Sequence, residues 1–261
     1  MGFVKTPDEI VRIEHALKHP RFVNAEMLSV SFLTDAAFAR SVLPPGLELR
    51  GEPVMTASVG RWQSNCVADF DGGSLTIPAR HGEHEAEYVL AMYMTSDHAI
   101  VYGRELFGEP KKQATVAMHR KGGRFTGHIG RLGTRLIEID ADLGPDEGPA
   151  SARTFNFNFK APPATNGVGL EWDPLLTLAT FDLDIRVQRT GTGRLTLRSG
   201  LLDPLGDIPV LETRGAAYVE GDIVASARAI ATVPADAFLP YAYGRVDDWS
   251  LLDTERLGVN A

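Results

Sequence analysis

The sequence is short of several residue types, and each shortage excludes a class of protein. It has one cysteine, Cys66, in 261 residues, which excludes an intramolecular disulfide and a multi-cysteine metal site. No apolar run approaches the length of a membrane-spanning helix, and the first residues lack the apolar core of a signal peptide. The chain is therefore expected to be soluble and cytoplasmic.

Positive charge is also scarce. The 26 Lys and Arg residues face 34 Asp and Glu residues, which gives a net charge of −8 and a pI near 5.4. Nucleic acids and membrane surfaces attract proteins that present a basic face. This balance argues against both as partners, whereas a small anionic substrate is compatible with cations gathered in a pocket.

Lysine is scarcer still, and two of the few lysines are adjacent. Only six residues are lysines, and Lys111 and Lys112 stand side by side after Pro110. Lysine differs from arginine because its amine loses a proton when desolvated or placed beside another cation, and the neutral amine attacks carbonyls to form imines. The pair is therefore the predicted chemical centre. On a strand, however, adjacent side chains point to opposite faces, and one or both lysines would then be solvated.

Hydrophobic periodicity predicts a chain made mostly of strands. Capping patterns and helical spacing indicate short helices at about 7–19, 35–43 and 235–241. Alternation predicts strands at 28–33, 54–62, 85–94, 114–119, 124–129, 135–143, 155–159, 179–188, 194–198, 212–218 and 223–231. By composition, 69–74 is a predicted loop and 191–193 a predicted hairpin turn.

The number of strands decides the predicted fold class. Eight or more strands with few short helices indicate an α+β, mainly β protein, built as an antiparallel barrel-like sheet or a curved sandwich. Closure of such a sheet removes exposed strand edges. No linker-like stretch interrupts the chain, so residues 1–261 are predicted to form a single domain.

One histidine-rich and acidic segment raises the question of a metal site. The segment from His81 to Glu87 holds two histidines and three glutamates. It lacks the i, i+4 histidine spacing of the helical zinc motif, and Pro78 and Gly82 favour a solvated loop. No dinucleotide-binding or phosphate-binding loop is present either. The prediction is that the protein uses no metal and no cofactor.

The lysine pair ends a segment that resembles a known family. Gly103-Arg-Glu-Leu-Phe-Gly-Glu-Pro-Lys-Lys112 resembles the lysine segment of the acetoacetate decarboxylase family. The similarity extends over about 20–143, and 203–210 resembles a second segment of the family. The resemblance implies a barrel-like fold whose cavity holds a reactive lysine, here Lys111 with Lys112 beside it, and it implies homo-oligomers.

Neighbouring residues complete the predicted site. Glu109 is predicted to act as an acid or base beside the imine if its side chain points into the cavity, or else to cap the turn outside it. Arg104 and Glu105 in the same segment, and Tyr93 on the preceding predicted strand, are predicted to bind the substrate.

The resemblance also implies an arginine that holds the substrate carboxylate and two glutamates before the lysine. Counted back from Lys111 without gaps, these positions fall on Ala25, Ala57 and Gly72, and none matches. The chain is therefore predicted to be a divergent carbon–carbon lyase acting on a small keto acid through a lysine imine, as an acetoacetate-type decarboxylase. One alternative is a pyruvate aldolase-dehydratase that uses the same lysine. Another is a barrel that binds a carbonyl compound without turning it over.

Overall fold

A connected sheet of twelve strands forms the body of the protein in the computed structural model, which describes residues 2–253. The strands are β1 (Arg21–Leu33), β2 (Glu48–Leu49), β3 (Val54–Ser64), β4 (Ala68–His81), β5 (His84–Met94), β6 (Lys111–Gln113), β7 (Thr115–Lys121), β8 (Arg124–Arg131), β9 (Thr134–Leu143), β10 (Ala150–Lys160), β11 (Leu175–Leu197) and β12 (Glu212–Thr232). The α-helices are α1 (Pro7–Lys18), α2 (Ala36–Ser41), α3 (Asp97–Tyr102) and α4 (Ala235–Arg245). No helix in the described range is long and apolar enough to cross a membrane.

Seven of the strands close into a barrel. Their order is β10-β5-β4-β3-β1-β12-β11, and β11 pairs with β10 to complete the circle. The predicted mainly β, barrel-like fold is confirmed. The barrel is mixed and not wholly antiparallel, because β5 runs parallel to β10 and also to the short strand β6.

Strands β9, β8 and β7 continue the sheet beyond β11 and form a second layer outside the barrel wall. Gly127 of β8 lies against Val59 of β3, and Gly73 of β4 lies against Ile129 of β8. The main hydrophobic core fills this interface and includes Leu75. Full burial of each such side chain contributes roughly 1.5–3 kcal/mol. Where the second layer covers β3 and β4, the outward face of the wall is therefore occupied by packing.

Strands β11 and β12 are very long, and glycines within β11 do not interrupt it. The predicted hairpin turn at Gly191–Gly193 is wrong, because β11 runs through it without a break. A Cβ on Gly191 would lie 2.9 Å from the Cα of Leu143, and one on Gly193 would lie 2.9 Å from the Cβ of Ala216. These glycines therefore allow neighbouring strands to approach closely and do not reverse the chain.

The predicted loop at 69–74 is wrong for the same reason, since this stretch lies inside β4. The predicted loop from His81 to Glu87 is largely wrong as well. It is the tight end of a hairpin in which His81 pairs with His84, and Glu85 and Glu87 belong to β5.

The helix predictions are confirmed in substance. Helix α1 begins with a capping box, in which Glu9 N–H donates to Thr6 Oγ1 and Thr6 N–H donates to the Glu9 carboxylate. Helix α2 begins at an Asp35 cap, whose carboxylate accepts from Phe38 N–H at 2.8 Å. Helix α3, which sequence periodicity did not predict, connects β5 to the lysine segment.

Candidate active site

The chain reaches the lysine pair through an unusual turn. Helix α3 passes directly into a π-helical segment, Gly103–Phe107, and Gly108 follows with φ of +76°. The Gly103 carbonyl accepts hydrogen bonds from the N–H groups of both Gly108 and Glu109. Single π-helical turns are frequent at functional sites. This turn delivers the chain to β6, where Lys111 pairs with Met92 of β5.

Lys111 and Glu109 form a buried pair. Only 8% of Lys111 and 6% of Glu109 is exposed, and 2.8 Å separates Lys111 Nζ from Glu109 Oε2. The amine also lies 5.9 Å from the ring centre of Phe70. Of the two predicted orientations of Glu109, the side chain takes the inward one.

Gly103 is what lets this pair pack so tightly. A Cβ at this position would lie 2.6 Å from Lys111 Nζ and 2.5 Å from Lys111 Cδ, and it would also collide with the Glu109 carboxylate. The backbone of Gly103 is ordinary for a helix, with φ of −66°. Its need for glycine is therefore one of space and not of backbone conformation.

The pair faces a cavity of about 180 Å³ inside the barrel. Every one of the seven barrel strands contributes to its wall: Met27 from β1, Ser58 and Trp62 from β3, Phe70, Gly73 and Ser74 from β4, Met92 and Met94 from β5, Thr154 and Asn156 from β10, Phe181 and Leu183 from β11, and Ile223 from β12. Among the described lining residues, only Lys111 and Glu109 carry charge. The cavity is otherwise apolar with a few neutral hydrogen-bonding groups.

Lys112 points away from this cavity, as alternation on β6 requires. Its Nζ lies 3.0 Å from Asp203 and 3.1 Å from Asp247, and Arg131 contacts the same two carboxylates. Tyr93 joins this network by donating to Asp203 at 3.0 Å. Burial and the negative charge of Asp203 raise the pKa of Tyr93. Lys112 and Tyr93 are thus brought together with each other and not with Lys111.

Arg104 and Glu105 also lie outside the barrel cavity. Arg104 donates to the backbone carbonyl of Lys111 at 3.3 Å, so it holds the loop that carries the lysine. Both residues line a second cavity on the other side of Glu109. This arrangement does not favour the predicted contact of Arg104 and Glu105 with a substrate in the lysine cavity.

The three ungapped family positions do not line the cavity. Ala57 faces outward into the main core, and Gly72 is covered by Met94. The nearby residues that do line the cavity are Ser58 and Ser74, whose hydroxyls are 3.0 Å apart. Sequence analysis missed this serine pair. The alternation of β3 could have identified Ser58 as an inward residue, but a bulge in β4 between Leu75 and Thr76 obscures the phase there.

No group of three or more potential metal ligands occurs among residues 2–253. Three of the five histidines and glutamates in the 81–87 segment have partners elsewhere in the protein. Glu85 and Glu87 pair with Arg50, and His81 contacts the Gly46 carbonyl.

A family model for acetoacetate decarboxylase matches residues 6–232. The chain belongs to the acetoacetate decarboxylase family. An acetoacetate decarboxylase of Burkholderia vietnamiensis is 28% identical over 214 residues, which cover 78% of this chain and 84% of that protein. A Burkholderia ambifaria acetoacetate decarboxylase is 27% identical over 208 residues, with the same coverage.

Solved structures of other proteins share the fold. Acetoacetate decarboxylase from Legionella pneumophila superposes with a TM-score of 0.75 at 22% identity, covering 82% of this chain and 88% of that one. The enduracididine biosynthesis enzyme MppR, complexed with the condensation product of pyruvate and imidazole 4-carboxaldehyde, superposes with a TM-score of 0.70 at 20% identity. That match covers 81% of this chain and 88% of MppR.

Proposed function

We propose that the protein is a carbon–carbon lyase that binds a small keto acid as an imine on Lys111. The observation that carries the proposal is the buried pair of Lys111 and Glu109 at the wall of an apolar barrel cavity. Family membership adds support, since the family includes decarboxylases with an activated lysine.

The geometry suits imine formation. A proton can pass from the ammonium of Lys111 to the carboxylate of Glu109 across their 2.8 Å contact, which leaves both groups uncharged. The neutral amine then attacks the ketone carbonyl, and Glu109 returns the proton to the departing hydroxyl as water is lost. The apolar wall favours this state, because isolated buried charges are costly.

Two reactions follow from the same imine. In decarboxylation of a β-keto acid, the bond to the carboxyl carbon breaks, carbon dioxide leaves, and the electron pair moves to the iminium nitrogen to give an enamine. In the aldol alternative, the enamine of pyruvate forms a bond to an aldehyde carbon, the new alkoxide takes a proton, and water is then eliminated. The first reaction continues with protonation of the enamine carbon, and the second with the elimination of water. In both, hydrolysis of the imine then restores Lys111.

Different observations favour each reaction. The names of the relatives at 27–28% identity favour decarboxylation of acetoacetate. The lining gives neither a β-keto acid nor pyruvate a described arginine to hold its carboxylate. The aldol alternative is favoured by the paired hydroxyls of Ser58 and Ser74, which offer neutral donors to an aldehyde oxygen. We place decarboxylation first and the pyruvate aldolase-dehydratase second.

Borohydride reduction tests the imine directly. Incubation with acetoacetate or with pyruvate, followed by reduction, is expected to add the mass of one reduced ligand at Lys111, as read by intact mass and peptide mapping. Lys111→Met should lose the adduct, whereas Lys121→Met, on an exposed lysine in the β7–β8 hairpin, should keep it. Absence of an adduct with both ligands would leave the non-catalytic carbonyl-binding barrel as the better account.

Product analysis separates the two reactions. Carbon dioxide release from acetoacetate is compared with the loss of pyruvate in the presence of an aromatic aldehyde. Release of carbon dioxide at a rate that Lys111→Met abolishes would establish the decarboxylase. Condensation without carbon dioxide release would establish the aldolase-dehydratase.

A further inference from the structure

A second cavity lies behind the loop that carries Glu109 and Lys111. It measures about 180 Å³ and is bounded by that loop, the end of β10, the end of α4 and Trp172. Its wall carries three cations, Arg104, Lys160 and Arg245, and two carboxylates, Glu105 and Glu109. No acidic side chain of the described residues lies within ion-pair distance of any of these three cations. By contrast, most of the arginines that do form an ion pair lie on the exposed surface.

Arg245 is the most unusual of the three cations. Within residues 2–253 the buried charged side chains are Glu109, Lys111, Asp203 and Arg245. The first two pair with each other, and Asp203 pairs with two cations of the Lys112 network. Arg245, only 8% exposed, has no anionic partner among the described residues. A buried charge without a partner is strongly unfavourable, so an anion at this position would offset a real cost.

The hydrogen bonds of Arg245 leave part of its guanidinium free. Its Nη1 donates to the Phe159 carbonyl at 2.7 Å and its Nη2 donates to the Gly108 carbonyl. Its Nε is buried and has no hydrogen-bond partner within residues 2–253. Burial lowers the pKa of Arg245, and the nearby charge of Arg104 acts in the same direction. The two guanidinium groups repel each other across one cavity, and an anion bound between them would stabilise this arrangement.

We propose that this second cavity binds a small organic carboxylate through Arg104, Lys160 and Arg245. Guanidinium groups hold planar carboxylates through two parallel hydrogen bonds, and lysine adds a mobile point charge. Trp172, which is 49% exposed, provides a flat apolar wall for the carbon part of the ligand. The volume fits a molecule with one or two carboxylates and a short carbon chain.

The site is distinct from the lysine cavity but touches the same loop. Arg104 holds the Lys111 carbonyl and Arg245 holds the Gly108 carbonyl, so the cations grip both sides of Glu109. A bound carboxylate would therefore contact the groups that fix the position of the catalytic pair. Binding here needs no imine and is tested separately from it.

Succinate is a suitable probe, since it has two carboxylates and no carbonyl for Lys111 to attack. Titration calorimetry on the full chain is expected to give saturable binding that Lys111→Met leaves unchanged and that neutral succinamide does not reproduce. Tryptophan fluorescence identifies the cavity, because Trp62 lines the barrel cavity and Trp172 lines the second one. Succinate should change the fluorescence of Trp62→Phe but not that of Trp172→Phe.

Charge removal supplies the decisive comparison. Arg245→Met and Lys160→Met should each weaken succinate binding by about 10-fold or more, the usual effect of losing a charge-assisted hydrogen bond. Arg153→Met is the matched control, because Arg153 lies on the same strand as Lys160 and pairs with Asp182 on the surface. Lys160→Met, at a partly exposed position, keeps the test valid if Arg245→Met fails to fold. Unchanged affinity in Lys160→Met, or a fluorescence change that survives in Trp172→Phe, would overturn the proposal.

Discussion

At the scale of single residues, the candidate site depends on a lysine and a glutamate only two positions apart in the chain. Pro110 and the short bond from Lys111 N–H to the Glu109 carbonyl turn the backbone so that both side chains enter one cavity. On a regular strand these two residues would also share a face, but Glu109 belongs to the turn before β6 and not to the strand itself. In the proposed mechanism, its carboxylate, 2.8 Å from Lys111 Nζ, exchanges a proton with the imine nitrogen.

Glu109→Gln should separate proton transfer from imine formation. The amide keeps the shape and a hydrogen-bond acceptor but cannot exchange the proton, and general acid–base catalysis contributes about 10²–10⁴-fold. We expect kcat to fall by about 100-fold or more, while borohydride still traps the ligand slowly at Lys111. Glu83→Gln, in the exposed β4–β5 turn, is the control and should keep normal kcat. A normal kcat in Glu109→Gln would remove the carboxylate from the mechanism.

Gly103→Ala tests whether close packing organises the pair. Because the φ of Gly103 suits alanine, the added methyl acts only by displacing Lys111 and Glu109. Overpacking of this kind costs about 1–3 kcal/mol, and a displacement of the amine should lower kcat by more than 10-fold.

The control for this substitution is Gly244→Ala. Gly244 also lies in a helix, α4, and nothing lies within 4 Å of a Cβ placed there. This variant is expected to keep kcat and to gain up to about 1 kcal/mol of stability from higher helix propensity. Urea unfolding and steady-state rates measure both variants. Equal behaviour of the two would show that Gly103 is not sterically required.

At the scale of elements, the short strand β6 sends its two lysines into different environments. Lys111 enters the barrel, whereas Lys112 joins Arg131 of β8 and the carboxylates of Asp203 and Asp247. The network connects β6, β8 and the chain after α4. It is a structural connection beside the site, and it explains why two adjacent lysines need not share a role.

The pH dependence of stability should report this network. Burial alone would raise the pKa of Asp247, but hydrogen bonds from Arg131 and Lys112 outweigh it and hold the pKa below its usual 3.8. The folded state therefore binds this proton less readily than the unfolded state. The resulting stability is present above the unfolded pKa and is lost as the pH falls through the folded pKa.

Asp247→Asn should consequently unfold at a lower urea concentration than the wild type at pH 7. The difference should shrink as the pH falls below about 4, where the wild-type carboxylate becomes protonated. Asp69→Asn, on an exposed residue of β4, should show no such convergence. A difference that stays constant with pH would mean that the charge of Asp247 contributes nothing.

How far the sequence predicts these elements depends on what each pattern measures. The capping box at Thr6 and Glu9 and the alternation of β5 are local signals, and both predictions are confirmed. The glycines misled because a glycine that relieves crowding between strands looks the same in one sequence as a glycine that turns the chain. Gly191 and Gly73 are of the first kind, and only the neighbouring strands reveal it.

The candidate site also combines residues that a local pattern predicts with residues that it does not. A ten-residue segment indicates Lys111 and its family, because the chemistry of an imine lysine leaves a local sequence trace. Ser58, Ser74 and the remaining cavity wall come from seven strands spread over the chain, so no local pattern brings them together. The side on which Lys112 and Tyr93 lie follows from alternation alone, but their shared partner Asp203 is 91 residues from Lys112 and 110 from Tyr93.

At the scale of the whole molecule, barrel closure is uneven. Strands β11 and β12 pair continuously from Leu175↔Thr232 to Gly191↔Ala216, with two bulges. The parallel seam between β5 and β10 has only Asn156↔Glu87 and Phe157↔Tyr88 in register. We propose that residues 1–261 fold as one domain, since a connected sheet contains both the barrel and the outer layer. The homo-oligomer implied by the family resemblance stays a prediction.

The seam should be the first part of the barrel to open. Amides of β10 that point toward β5 are expected to exchange with deuterium at least 10-fold faster than amides between β11 and β12, because few backbone hydrogen bonds hold them. Hydrogen exchange followed residue by residue measures both sets in one sample. Equal protection across the seam and the long hairpin would contradict this expectation.

The wall of the lysine cavity has a consequence for protein engineering. Since each barrel strand contributes only one to three side chains, a designer can vary Met27, Leu183 and Ile223 on three separate strands without altering any loop. The outward residues of those strands keep the scaffold intact, and the nucleophile enters from β6, outside the seven. Small combinatorial libraries at such positions should therefore change the accepted carbon chain while the lysine chemistry remains in place.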